Sequence, residues 1–326
     1  MDLPLICAGV VGFALFMYVL LDGFDLGVGM LFLFDSDPDH RDDMMNSVAP
    51  FWDGNETWLV FGGFPVAYAI LLPALYLPAV AMLFALVFRG VAFEYRFKSR
   101  ASRRWWDWSF NAGAALATFA QGVMLGAVIG GVKVEGRGFA GGAFDWLTPF
   151  AVMCGLGLAC GYALFGATWL VMKADGPLQA RARLIARRLV PVLALFLAAV
   201  AIWTPLAHMT IAERWFGQSN LAYLVPLALA TAAAIMLLWR ALAQGGERSP
   251  FALTAAIFGL AFLGLAISLY PYIVPFSMTI WDAAASRPSQ MFMLIGIAIM
   301  LPVVLFYTGY NYWVFRGKLG KTVDYH

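Results

Sequence analysis

Of the 326 residues, 62% are apolar and only 12% charged, whereas a soluble domain has about half apolar and about a quarter charged. Apolar runs recur along the whole length, which excludes a separate soluble domain and makes the membrane part effectively the entire chain. The formal charge of +2 is too small to suggest nucleic acid as a partner, and Cys7, Cys154 and Cys160 all sit in apolar runs, as reduced packing residues rather than a disulfide framework.

A hydrocarbon core of about 30 Å needs roughly 20 helical residues. Nine segments qualify: 4–33, 50–74, 77–96, 108–131, 147–172, 189–208, 221–240, 251–272 and 290–314. The first run is too long for a signal-peptide core and follows an acidic residue, so it is predicted as a retained span. Spans two and three are divided at 75–78, where Pro73 and Pro78 bracket a turn. The fold class is therefore all-α, a polytopic membrane protein of nine transmembrane helices in a single domain over 1–326. Of the 21 Lys and Arg, sixteen lie in the odd-numbered loops and C-terminus and four, Lys133, Arg137, Arg214 and Arg287, in the even-numbered loops. Positively charged loops stay cytoplasmic, which puts the N-terminus outside and the C-terminus inside. The acidic loop 35–43 does not overturn this, because acids weigh little in that rule.

Ionisable groups inside a bilayer are costly and usually functional. They fall in the first three spans: Asp22 and Asp25 in the first, Asp53 and Glu56 at the start of the second, Arg89 and Glu94 in the third, with no others in the interiors of spans four to nine. At 1.5 Å per residue all six lie in the cytoplasmic half or at its boundary, as in a half-channel from the inside. Asp22 and Asp25, three apart, share a helix face, beside a small-xxx-small patch of Gly23 and Gly27 for close helix contact. The pair reads either as a proton relay or as partners for Arg89 and caps for a neighbouring helix. Pro50 suits the first turn of span two, which puts Asp53 and Glu56 on its opening turns; Asp53 reads as a proton carrier or as a first-turn acid stabilising the helix end. Arg89 and Glu94, five apart, do not face each other. Arg89 needs a partner on another helix, either one of these acids or the polar head of a bound lipid or quinone.

Histidine occurs at His40, His208 and His326, none at membrane depth, so haem, which usually takes an axial His, is not expected on ligands of this chain. The 15 Met read as packing. Trp105, Trp106, Trp108, Tyr310, Tyr312 and Trp313 lie at span ends, where an aromatic belt is expected.

The stretches LDGFDLGVGM at 21–30, NSVAPFWDGNETWL at 46–59 and FRGVAFEYRFK at 88–98 resemble subunit II of cytochrome bd-type quinol oxidases. GATWLVMK at 166–173, Trp281-Asp282-Ala283 and the segment 307–313 extend the resemblance over essentially the whole chain. The short outer loops and GYALFGATWLVMKADG are more similar to the short, cyanide-insensitive branch. The resemblance implies two four-helix bundles plus a peripheral helix, paired with a similarly folded subunit I in the bacterial inner membrane. Subunit I would carry two haems b and a haem d, or a third haem b, and oxidise quinol at the outer face, with oxygen reduced to water by protons drawn from the cytoplasm. This subunit would stabilise it and supply a proton path through Asp25 and Asp53, with Asp22 and Glu56 as further members. The family varies between Glu and Gln at the position of Glu56, which leaves an acid role there open. Some members hold a structural quinone near the position of Trp52, and the partner set leaves room for a small single-helix subunit.

A different class, the proton-coupled secondary transporter, tends to show inverted repeats, interrupted helices and a midplane site. Charge confined to one side and one third of the helices fits an accessory proton conduit better. A third reading, a purely structural scaffold, makes every acid a packing device.

Overall fold

The computed structural model describes residues 2–63, 70–98, 101–136 and 138–319. Arg100, Arg137 and His326 lie outside the described residues. The first helix, α1 (Leu3–Leu31), opens with Asp2 accepting the Leu5 N–H, has Pro4 in its first turn, and runs into a 3₁₀ turn at Phe32–Phe34. There follow α2 (Pro38–Val48), α3 (Trp52–Gly63), α4 (Leu71–Lys98) and α5 (Arg103–Gly130). A hairpin of β1 (Val134–Glu135) and β2 (Gly138–Phe139), with Val134 opposite Phe139, leads to α6 (Pro149–Lys173) and α7 (Gly176–Ala207). The chain ends with α8 (Met209–Phe216), α9 (Gln218–Ala243), α10 (Ser249–Leu269), the hairpin β3 (Tyr272–Val274) and β4 (Met278–Thr279), and α11 (Arg287–Val314).

Eight of these helices are long and apolar enough to cross a membrane: α1, α4, α5, α6, α7, α9, α10 and α11. Of the expected second span, the first part forms α3, residues 64–69 lie outside the described residues, and the last four residues belong to α4. Trp52 stacks on Phe93 near the end of α4, while Ile70, just before α4, packs with Val274 of the second hairpin.

The division at 75–78 is not there. α4 starts at Leu71 and runs through both prolines. Pro73 is its third residue, where a missing N–H has no intrahelical partner to lose, and Pro78 lies in the interior, which membrane helices tolerate. Pro50 likewise precedes α3 by two residues instead of opening it, and its carbonyl accepts from Asn311 at 2.6 Å. The sixth span is longer than 189–208, because α7 begins at Gly176 and carries the basic stretch outward as helix. Leu178, Ala182, Ala186, Val190 and Leu193 form its buried stripe at spacings of three and four residues. The acidic stretch 35–43, expected as a loop, holds most of α2, started by Asp37 accepting the Asp39 N–H and by Pro38 in the first turn.

α1 packs against α3, α5 and α6; α4 packs on α5; α6 reaches α7 and α10; and α9 lies on α10 and α7. Two groups of four result, α1-α3-α4-α5 and α6-α7-α9-α10, joined where α6 packs against both α5 and α1, with α11 at the periphery against α1. The join is tight because a Cβ on Gly27 would overlap the Tyr162 carbonyl and the Gly166 nitrogen. Of the small-residue patch expected at Gly23 and Gly27, Gly27 thus meets α6 backbone to backbone, while Gly23 makes room for the Tyr162 ring. Beside it Phe24 stacks on Trp169 at 4.1 Å and meets Phe165 and Phe251 edge-on, a core of rings drawn from α1, α6 and α10. Outward faces remain apolar, including Phe84, Val87 and Phe88 on α4 and Phe292, Ile299 and Phe306 on α11.

Candidate functional site

Three helices bring four of the six membrane charges together. Arg89 on α4 is fully buried; its Nη1 donates to Glu56 Oε1 on α3 at 2.7 Å and lies 3.4 Å from Asp22 Oδ1 on α1. Its guanidinium also lies 5.7 Å from the centre of the Phe93 ring and 6.0 Å from that of Phe110. Gly113 of α5 makes room, since a Cβ there would meet the Ala85 carbonyl and the Arg89 side chain. Asp25, one turn from Asp22 and equally buried, accepts from Asn55 Nδ2 at 2.6 Å. Among the described residues, Asp25 Oδ1 and Arg89 Nε and Nη2 are buried without a hydrogen-bond partner. One guanidinium therefore pairs with two carboxyl groups, buried Asp22 and partly buried Glu56, while Asp25, one turn along α1, is held by Asn55.

The remaining expected site residues stand apart. Asp53 is exposed on the first turn of α3, and its side chain has no hydrogen bond or ion pair among the described residues. Glu94 does not join the cluster: it points outward and pairs with Lys98 at 2.9 Å, one turn along α4. Trp52 lies flat on Phe93, ring centres 4.9 Å apart, over Gly90.

Several polar residues escaped the sequence reading. Gln121 Nε2 donates to the Tyr18 hydroxyl at 2.8 Å and its Oε1 accepts from Tyr162 at 3.2 Å, extending the polar file from Asp22 into the seam of α1, α5 and α6. The available signals were a lone amide in the apolar run ATFAQGVML and a tyrosine four residues before Asp22. Tyr312, expected in the aromatic belt, instead turns inward and donates to Asn55 Oδ1 at 3.1 Å.

At the end where α2 lies, a second network covers the cluster. Arg96 donates to Asp107 and Asp42, both at 2.6 Å; Arg41 reaches Asp107 at 3.0 Å; and Arg103 pairs with Asp42. Asp35 pairs with Arg181 at 2.5 Å and lies 3.0 Å from His40 Nδ1. Burial pushes the Asp35 carboxyl up, but the Asp37 N–H, His40 and Arg181 outweigh it and hold the group below its ordinary value. Lys173, counted with the loop charges in sequence, is buried and donates to the Phe315 and Gly317 carbonyls past the end of α11.

The described histidines stand apart from the cluster: His40 is engaged with Asp35, and His208 stacks on Phe276 at 5.1 Å beyond the end of α7. Among the described residues no group of three or more His, Cys, Asp or Glu could hold a metal ion.

Fold and site together define a polytopic helical membrane protein with a buried carboxylate–guanidinium cluster. The chain belongs to the cytochrome bd terminal oxidase subunit II family, whose model matches residues 3–315. It is 28% identical over 359 residues to cytochrome bd-I ubiquinol oxidase subunit 2 of Escherichia coli (strain K12), covering 95% of this chain and 93% of that one. To cytochrome bd ubiquinol oxidase subunit 2 of Bacillus subtilis (strain 168) it is 29% identical over 320 residues, covering 93% and 92%. The solved bd oxidase from Geobacillus thermodenitrificans shares the fold, with a TM-score of 0.74 at 19% identity over 97% of this chain and 99% of that one. The chain is thus a multi-pass protein of the bacterial inner membrane and a subunit of an oxidoreductase complex that oxidises quinol.

Proposed function

We propose that this chain is the haem-free subunit of its oxidase, that it stabilises the haem-bearing subunit I, and that it supplies the cytoplasmic proton-uptake path for the reduction of oxygen to water. The observation that carries the reading is the cluster of buried Asp22 and Asp25 with partly buried Glu56, beside the buried Arg89 that pairs with Asp22 and Glu56. Carboxyl groups at membrane depth are expensive, and an architecture held only by packing has no need of three against one guanidinium. The sixteen-to-four division of loop Lys and Arg supports an orientation with α2 and the cluster toward the cytoplasm. Asp53, exposed on the opening turn of α3, then stands at the mouth, and Glu56, one turn further on, leads to Asp22 and Asp25. The haems b and the haem d, or further haem b, belong in this reading to subunit I. Trp52, with one ring face on Phe93, offers its other face to a structural quinone.

The test is made on the complex purified with its partner. Asp25→Asn and Asp53→Asn remove a titratable proton and keep nearly the same volume. We expect oxygen reduction to fall by about 10² to 10⁴ while haem reduction by quinol proceeds as before. Variants that assemble with full haem content and turn over at the wild-type rate would leave the carboxyls as helix-end and packing acids.

A further inference from the structure

We propose that Asn55 and Tyr312 are positioning residues for Asp25, fixing which carboxyl oxygen carries the transferable proton. The inference rests on the proton-path reading and assigns its internal geometry. Asn55 is buried on α3, with Nδ2 3.0 Å from the Leu21 carbonyl and 2.6 Å from Asp25 Oδ2. A backbone carbonyl only accepts, so the amide atom facing Leu21 must be nitrogen, and the same nitrogen faces Asp25. The amide oxygen is left for the Tyr312 hydroxyl, which donates to it at 3.1 Å. Tyr312 comes from the peripheral helix α11 and is itself fixed, stacked on Phe51 at 4.6 Å, with its neighbour Asn311 donating to the Pro50 carbonyl at 2.6 Å. Three elements, α1, α3 and α11, thus lock one amide orientation.

The consequence falls on Asp25. Its Oδ2 always faces an N–H donor and serves as an acceptor. Its Oδ1 is buried with no hydrogen-bond partner among the described residues, and it is the oxygen free to gain and lose a proton. Protonated Asp25 therefore carries its hydrogen on Oδ1, with Oδ2 as the carbonyl oxygen hydrogen-bonded to Asn55. Arg89, Asp22 and Glu56 are the charged groups of the surrounding α4, α1 and α3 that share this pocket. No side chain of α11 other than Tyr312 bonds to Asn55 or the three acids among the described residues.

Redox-difference infrared spectra of the purified complex test this, with the Asp25 carboxylic C=O band assigned as the one lost in Asp25→Asn. Asn55→Leu should move that band to higher wavenumber, because the carbonyl oxygen loses its donor, and Tyr312→Phe should broaden it, because the amide loses one of its anchors. In both, kcat should fall, by up to about 10²-fold as for a misplaced reacting group, with the KM for quinol unchanged. A band at the same position and width in both variants overturns the positioning role. If Asn55→Leu does not assemble with haem, Tyr312→Phe, which removes a single oxygen atom, decides alone. No Asp25-dependent band, together with wild-type turnover in Asp25→Asn, would instead overturn the proton-path reading beneath the proposal.

Discussion

Gly27 leaves no room for even a methyl group, since the atoms that a Cβ would overlap belong to the backbone of α6 at Tyr162 and Gly166. Backbone cannot rotate away as a side chain can, so Gly27→Ala should cost at least the upper end of the roughly 1–3 kcal/mol usual for overpacking. A lowered thermal midpoint of the complex in detergent would report it, whereas Gly9→Ala, with open space around the position, should leave the midpoint unchanged. An unaltered midpoint in Gly27→Ala would contradict the packing described. The close approach was legible in sequence because two glycines four apart in an apolar run have few other uses. The partners of Arg89 were legible only as a class, because spacing excludes Glu94 on the same helix but cannot choose among acids on others. Tyr312 was not legible at all: an aromatic residue at a span end fits the interfacial belt equally well, and only α11 docking on α1 turns it inward.

At the scale of elements, hydropathy located what sits in lipid and missed what projects from it. α7 extends thirteen residues before the expected start because a polar arginine stretch continues the helix, and α2 is too polar to register as an apolar run. Both are tied by charge: Asp35, between α1 and α2, pairs with Arg181 of α7. Because the folded Asp35 value is held below the ordinary one of about 3.9, the stabilisation is complete above that value and is lost as pH falls through the lowered folded value. Hydrogen-exchange protection of the α2 amides, corrected for intrinsic rate, should therefore hold from neutral pH down to about 4 and drop below it. Asp35→Asn should lower the protection already at neutral pH. Wild-type protection in that variant would show that the clamp does not hold α2.

Across the whole molecule Asp22, Asp25, Glu56 and Arg89 lie toward one end and in one group of four helices. α1, α3 and α4 hold the buried acids and Arg89, α2 and the arginines of α4, α5 and α7 cover them, and the apolar faces of α4 and α11 lie open to lipid or a partner subunit. This asymmetry was visible in the bare positions of the charged residues. It is unlike a transporter with its site between repeats at the midplane. The fold class and the grouping of helices followed from apolar length and resemblance, whereas the hairpins, α2 and α8 did not, being short and set by local turn chemistry. The central claim concerns the side from which protons come and the groups that carry them. Proton uptake during oxygen reduction, followed with a pH indicator confined to one compartment of vesicles holding the complex in a single orientation, tests it most directly. The wild type should draw its protons from the compartment facing α2, and Asp25→Asn with full haem content should lose that uptake in step with its slowed oxygen reduction. Uptake from the opposite compartment, or undiminished uptake in Asp25→Asn, would contradict the account.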